Sequence, residues 1–295
     1  VKVWVAFASS IGGDLFSKTR VYALIAALAL IAGLAVTGCG GGDSSSSTNQ
    51  GENATTVGST SGGETLTVGS DIPFPPFEEG RPGHYTGFEI ELIEAIAEKM
   101  GRVAQIQDTS FETIFRDVGQ GKFDAVIAAA TITPEREKEV DFSDPYYLSE
   151  QAVVVQEGSE IKGMEGLSGK LVGAAQGSTG LALAKKESGA SEIRPFPESP
   201  DAINALKAGT VEAVVIDSPF AQNAVEEAGG IEIAEKIQTG EQYGIAVAQG
   251  NTELLEGINK GLKEVEEDGT YTQIFEKWFH EAPPKEVFGA THKAD

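Results

Sequence analysis

Short apolar runs alternate with longer amphipathic stretches along most of this chain, and that alternation limits the fold more than any other feature. Residues 65–70, 103–106, 123–127, 152–156, 170–175, 211–217 and 243–247 read as strands. Between and after them, residues 87–101, 111–120, 181–186, 199–206, 254–266 and 271–279 read as helices. In 87–101, Phe88, Leu92, Ile93, Ile96, Ala97 and Met100 share one face, and Gly101 is a good stop. Strands alternating with helices build βα units on a mostly parallel sheet. Ligands of such sheets collect beyond the carboxyl ends of the strands, where Asp71, Phe111 and Thr131 all fall.

The segment 128–136, Ala-Ala-Ala-Thr-Ile-Thr-Pro-Glu-Arg, leaves the buried strand 123–127 and places Pro134 where a helix can begin. The Thr131 hydroxyl and the five fixed donors of Arg136 suit a carboxylate, which a guanidinium grips at both oxygens. A surface ion pair to a neighbouring acid explains a lone Thr-x-Thr-x-x-x-Arg equally well. Pro73, Pro75 and Pro76 stiffen the loop that carries Asp71 and Phe74. Gly177-Ser178-Thr179-Gly180 opens a helix with small residues, leaving backbone N–H groups for an anion. Asp217 ends the apolar run 211–217, where capping the next helix is the plainer role.

The length admits one large or two ordinary domains, and a formal charge of -23 excludes a phosphate-binding surface, hence nucleic acid. Cys39 is the only cysteine, so no intrachain disulfide forms. Ahead of it, Lys18-Thr19-Arg20, the apolar run 21–36 and Val36-Thr37-Gly38-Cys39 have the order of a secretory signal that ends in a lipobox. Residues 1–38 are therefore expected to be removed and Cys39 lipidated, anchoring an extracytoplasmic protein to the cell membrane. Residues 39–64, rich in Gly, Ser, Thr and Asn, form a tether spanning roughly 25–30 Å as a coil. No His/Cys cluster suits a metal and no phosphate loop suits a nucleotide, so neither metal nor cofactor is expected.

In order and spacing, Gly87-Phe88-Glu89-Ile90-Glu91-Leu92, residues 131–136, Asp141-Phe142-Ser143-Asp144-Pro145-Tyr146-Tyr147, Gly177-Ser178-Thr179, Ile216-Asp217 and Gln242-Tyr243-Gly244-Ile245-Ala246 resemble the polar amino-acid branch of the periplasmic solute-binding proteins, receptors of ABC importers. The resemblance implies the type II fold: two Rossmann-like α/β lobes joined by two crossing hinge strands near 152–156 and 243–247. Lobe 1 would be 65–153 plus 245–288, lobe 2 154–244, and 289–295 a tail. It also implies that Arg136 and the Ser178–Thr179 region hold an α-carboxylate, while Asp217, the Ala129 carbonyl and the Thr131 hydroxyl take the α-ammonium. Asp71, Phe74 and Phe111 would select the side chain, the two rings sandwiching a flat or cationic group. Some glutamine-binding relatives carry a lysine at the position of Ala175, which favours arginine, lysine or histidine without excluding glutamine.

The expected function is a monomeric receptor that closes over a cationic or amide L-amino acid and delivers it to an ABC permease, without catalysis. The rivals are an enzyme of the cyclohexadienyl dehydratase kind on the same fold and a lipid-anchored amino-acid sensor. No histidine is an obvious general acid for the former, since His84 sits in a Gly-rich loop and His280 and His292 lie near the end.

Overall fold

Two five-stranded sheets carry the fold in a computed structural model, which describes residues 63–285 and Val287. The expected signal, Cys39, the tail at 289–295 and the tether up to residue 62 lie outside those residues. Glu64, expected in the tether, already belongs to the first strand.

In the first lobe the chain runs through β1 (Glu64–Ser70), a hairpin of β2 (Glu79–Arg81) and β3 (His84–Thr86), then α1 (Phe88–Lys99) and β4 (Arg102–Asp108). It continues through α2 (Ile114–Gly119), β5 (Ala125–Val126) and β6 (Val140–Phe142). The second lobe follows with β7 (Tyr147–Gln156), β8 (Leu171–Ala175), α3 (Thr179–Glu187), β9 (Glu192–Phe196), α4 (Ser199–Lys207), β10 (Ala213–Asp217), α5 (Ser218–Ala228) and β11 (Ile231–Tyr243). β12 (Ala246–Ala248), α6 (Thr252–Glu267) and α7 (Thr270–Phe279) return to the first lobe. The sheet orders are β4-β1-β5-β12-β6 and β11-β7-β10-β8-β9. β1 is parallel to β4 and β5, and β8 to β9 and β10; the strands bordering each crossing, β7, β11 and β12, pair antiparallel.

The first crossing falls earlier than the sequence suggests. Residues 152–156 pair with β10 on one side and β11 on the other, inside the second sheet, so the chain passes between lobes at 143–146. A run with both faces covered reads as a central strand, which is what Val153, Val154 and Val155 form. The second crossing breaks the expected strand 243–247 at Gly244, where a Cβ would lie 2.9 Å from the Ile132 side chain. The crossings are tied together: Ser143 N–H donates to the Ile245 carbonyl (2.9 Å), Ile245 N–H to the Ser143 hydroxyl (2.9 Å) and Tyr146 N–H to the Tyr243 carbonyl (3.0 Å).

α1 starts where only glycine fits: Gly87 has φ 134°, and a Cβ there would meet the Phe77 carbonyl oxygen at 2.1 Å. Its Phe88, Ile90, Leu92, Ile93 and Ile96 are fully buried, a burial worth on the order of 10 kcal/mol before entropy costs. Met100 is half-buried at the helix end, and Glu89 takes an unexpected place on the buried face. α6 and α7 pack on α1. Phe275 and Phe279 of α7 join Phe77, Phe88, Tyr147 and Tyr243 in one aromatic cluster, with Tyr147 stacked on Tyr243 at 5.5 Å. The Tyr271 hydroxyl donates to the Tyr146 carbonyl at 2.7 Å, fastening α7 to the crossing.

Two expected helices start late. α2 begins at Ile114, since residues 110–114 close as tight turns, Thr113 N–H donating to the Ser110 carbonyl (3.2 Å) and Ile114 N–H to the Phe111 carbonyl (3.4 Å), and Pro134 is followed only by a short 3-10 turn at Arg136–Lys138.

Candidate functional site

The carboxyl ends of β1, β5, β8 and β10 face a cavity whose free space, open mouth included, is about 470 Å³. All nine residues expected at the site line it: Asp71, Phe74, Phe111, Ala129, Thr131, Arg136, Ser178, Thr179 and Asp217. Glu78 and Ser199 line it too, without having been anticipated.

The segment 129–136 is held from two directions. Ala129 adopts a left-handed φ of 45°, costly for a residue with a Cβ, and its N–H reaches both carboxyl oxygens of Glu89 at 2.9 and 3.0 Å. Glu89 Oε1 also accepts from the Tyr146 hydroxyl (2.6 Å), so the carboxyl on α1 braces the site loop against the first crossing. On the other side Ile132 N–H donates to the Gln242 carbonyl and Gly244 N–H to the Ala130 carbonyl, at 2.8 and 3.1 Å. Burial pushes the Glu89 carboxyl up to about 7 against the pull of these donors.

Arg136 reaches across the cleft. Nη1 donates to the Thr131 carbonyl (2.6 Å) and Nη2 to the Gly177 carbonyl of the second lobe (3.1 Å), with the rings of Phe111 and Phe115 at 5.1 and 4.7 Å. Desolvation lowers its pKa to about 10, partly offset by Asp217 and Glu241, so it stays cationic at neutral pH. The ring of Phe111 thus lies by Arg136, while Phe74 stacks on Phe220 of α5 at 4.5 Å and closes the cavity from both lobes.

Asp217 does not cap α5 with its side chain. Its Oδ2 accepts from the Tyr243 hydroxyl (2.6 Å) and its Oδ1 from Gln151 Nε2. Burial, then the charge of Glu241, raises its pKa to about 7. Glu241, which sequence reasoning missed, joins the lobes: its Oε2 accepts from the hydroxyls of Thr131 (2.8 Å) and Thr179 (2.9 Å). With both threonine protons given to Glu241, and Thr179 also accepting from Gln151 Nε2 (3.2 Å), what stays open is hydroxyl lone pairs and the first-turn N–H groups of α3. A Cβ on Gly180 would lie 2.8 Å from the Val215 carbonyl oxygen, so only glycine lets this helix end press so close to β10. The Ser178 hydroxyl is used locally, accepting from Leu181 N–H (3.0 Å) and donating to the Ala175 carbonyl (2.8 Å).

At the far end of the cavity the charges are of one sign. Asp71 is buried with Phe111 N–H on Oδ1, and burial followed by the charge of Glu198 raises its pKa to about 8. Glu78 is fully buried, and burial and the neighbouring Glu89 push it well above the carboxylate range. Glu89 had a legible signal: it lies three and four residues before Leu92 and Ile93, on the apolar stripe of α1. Glu78 and Glu241 had none, since glutamates in polar surroundings read as surface.

The family model for bacterial extracellular solute-binding proteins, family 3, matches residues 66–281. An ABC transporter glutamine-binding protein of Bacillus subtilis (strain 168) is 35% identical over 205 residues, 68% of this chain and 75% of that one. A solved structure of an ancestral arginine-binding protein bound to glutamine is 44% identical with a TM-score of 0.71, over 74% of this chain and 98% of that one. An ancestral amino-acid-binding protein described as a precursor of cyclohexadienyl dehydratase is 36% identical, with a TM-score of 0.69 over 73% and 95% of the two chains.

Proposed function

The chain belongs to the bacterial extracellular solute-binding proteins, family 3, and from that premise we propose that it is an amino-acid receptor, binding without chemistry. The observation that carries the reading is the pairing of walls: Arg136 on the first lobe and Asp217 on the second line one cavity, opposite charges set for the two ends of a zwitterion. Arg136, with N–H groups at Thr179, would take the α-carboxylate. Asp217, the Ala129 carbonyl and the Thr131 hydroxyl, its proton already given to Glu241, would take the α-ammonium. The ligand favours the closed lobes because only there do both walls reach it.

Lobe 1 as 65–146 plus 245–288 and lobe 2 as the residues between would be the moving bodies, with the paired crossings as hinge. The closed form would dock as a monomer on an ABC permease. The signal-like residues 1–38 and the lipobox at Cys39 support an extracytoplasmic protein anchored by lipid, and among the described residues no helix is long and apolar enough to cross a membrane. The relatives named above as glutamine-binding and arginine-binding match the amide or cationic class. Carboxyls with raised pKa are what a dehydratase needs for a general acid. Yet Arg136 is the one basic side chain among the residues lining the cavity, so a dicarboxylate of the prephenate type would leave one of its two carboxylates without a cation.

Thermal unfolding of ligand-stripped protein against each common amino acid tests the proposal. A ligand at about 100 times its dissociation constant adds roughly 2.7 kcal/mol to the folded state, an easily read shift. No shift with any amino acid, together with turnover of a prephenate-like substrate, would overturn it.

A further inference from the structure

We infer that Glu89 is a positioning residue of the amino-acid site, fixing the Ala129 peptide as a carboxylate, and that the buried Glu78 secures it there through one shared proton. This rests on the receptor reading above and deepens it.

The segment Gly87-Phe88-Glu89 sets an acid on the buried face of α1, and both Glu78 and Glu89 are 0% exposed. Backbone bonds hold their segments side by side: Phe88 N–H donates to the Pro76 carbonyl (3.0 Å) and Glu89 N–H to the Phe77 carbonyl (2.9 Å). Glu78 itself is pinned in a tight turn, its carbonyl accepting from Phe74 N–H at 2.7 Å. The two side chains are hydrogen-bonded to each other. Carboxyls share a bond only across a proton, since an ionised one has nothing to donate. The donors around them decide which acid keeps it. Glu89 accepts from Ala129 N–H at both oxygens and from the Tyr146 hydroxyl, whereas no N–H or hydroxyl of the described residues donates to Glu78. Glu89 is therefore the anion and Glu78 the acid.

What Glu89 holds is the wall of the site. Ala129 is in the left-handed region with φ 45°, and the cost of that conformation is of the order that a hydrogen bond to a charged acceptor returns. Its carbonyl is the one assigned above to the α-ammonium, and the same strand end leads to Thr131, whose carbonyl holds Arg136 Nη1. Through Tyr146, whose N–H bonds the Tyr243 carbonyl, the carboxylate also ties this wall to the paired crossings.

The titratable groups facing the pair are Tyr146 of the first crossing with Tyr243 behind it, Tyr147 of β7, and Asp71 after β1. Burial keeps the three tyrosines neutral, and the charges that shift the acids, Asp71 and the partner carboxyl, are negative. Burial raises Glu89 to about 7 and Glu78 well above the carboxylate range, the same order that the donors give. The brace therefore exists above the ionisation of Glu89 and is lost as pH rises through that of Glu78, when two buried carboxylates in contact repel and Ala129 N–H loses its fixed acceptor.

The test is calorimetry with L-glutamine and L-arginine from about pH 7.5 to 10, on the wild type and on Glu78→Gln, whose amide donates to Glu89 without a proton to lose. The ligand ammonium, Arg136, Asp71 and Asp217 titrate in both proteins, so they cancel in the ratio of wild-type to variant dissociation constants. That ratio is expected to rise about tenfold over the range, equally for both ligands, because Ala129 meets what they share. Parallel pH profiles with binding intact would overturn the inference alone, as would a rise confined to arginine. Glu89→Gln offers one oxygen where Ala129 N–H and the Tyr146 hydroxyl now have two, and is expected to weaken both ligands about tenfold at pH 7.5; unchanged affinity counts against the inference equally. Should either variant fail to fold, carbon-13 NMR of the wild-type glutamate carboxyls decides: one must keep its proton into the alkaline range and lose it where affinity falls, and a full set titrating in the ordinary acid range overturns the shared proton. A wild type that binds no amino acid defeats the receptor reading, and the role at the site with it.

Discussion

At one end of the cavity Arg136, Asp217 and Glu241 answer one another's charges, and Tyr243, Gln151, Thr131 and Thr179 complete their hydrogen bonds. At the other end Asp71, Glu78 and Glu198 meet no cation and lie against other carboxyls, Asp71 against Glu198 and Glu78 against Glu89, so that protons stand between them. The first arrangement is finished before a ligand arrives and fits the invariant ends of any amino acid. The second is held by protons shared between acids. Preorganisation serves affinity at the common end, whereas the other end holds its carboxyls by shared protons.

The largest effect that would break this contrast is at the balanced end. Arg136→Ala is expected to cost about 2–5 kcal/mol in binding, and equally for basic and neutral amino acids, since it holds what they share. Calorimetry across a ligand panel checks it, and a loss confined to basic ligands would mean the ends have been assigned the wrong way round.

Next is the stability of ligand-free protein against pH. Asp71 is raised to about 8, Glu89 and Asp217 to about 7, and Glu78 in the same direction. A carboxyl that holds its proton more tightly when folded contributes fully below its unfolded pKa of about 4, and that contribution is lost as pH rises through the folded value. The melting temperature should therefore fall by several degrees from about pH 5 to 8.5, at roughly 2–4 °C per kcal/mol for a body of this size. Glu78→Gln should flatten the slope.

A smaller effect is expected of Glu241→Gln, which keeps one acceptor for the two threonine hydroxyls and removes the charge. It should weaken all amino acids by about 1–2 kcal/mol and leave a larger fraction of the ligand-bound protein open by small-angle scattering. Smallest for binding is Ser178→Ala. Its hydroxyl caps α3, so about 1 kcal/mol of stability should go, read by urea unfolding, while affinity changes little.

The sheets were legible where strands are apolar, and the gaps follow from the same rule. β11 was missed along Ile231–Tyr243 because it is an edge strand, mostly exposed or half-buried and bulged between Ile237 and Glu241, so its residues do not alternate cleanly. β9 is the opposite edge of that sheet and carries Pro195, which a central strand would exclude. At the site, Arg136, Thr131, Thr179 and Asp217 could be named because motif order brings them into one place. Glu78, Glu198 and Glu241 could not, since nothing in a glutamate's neighbours along the chain says that folding will take it out of water.

The sequence alone determined the alternation of strands and helices, the family, and which short motifs stand at the carboxyl ends of strands, for these are written in local periodicity and residue type. Only the tertiary structure decided where the chain crosses between lobes, that Asp217 binds Tyr243 instead of capping its helix, and that Glu78 is buried against Glu89. Those depend on contacts between residues far apart in the chain, and burial, which sets the energy of a charge, exists only once the lobes have formed.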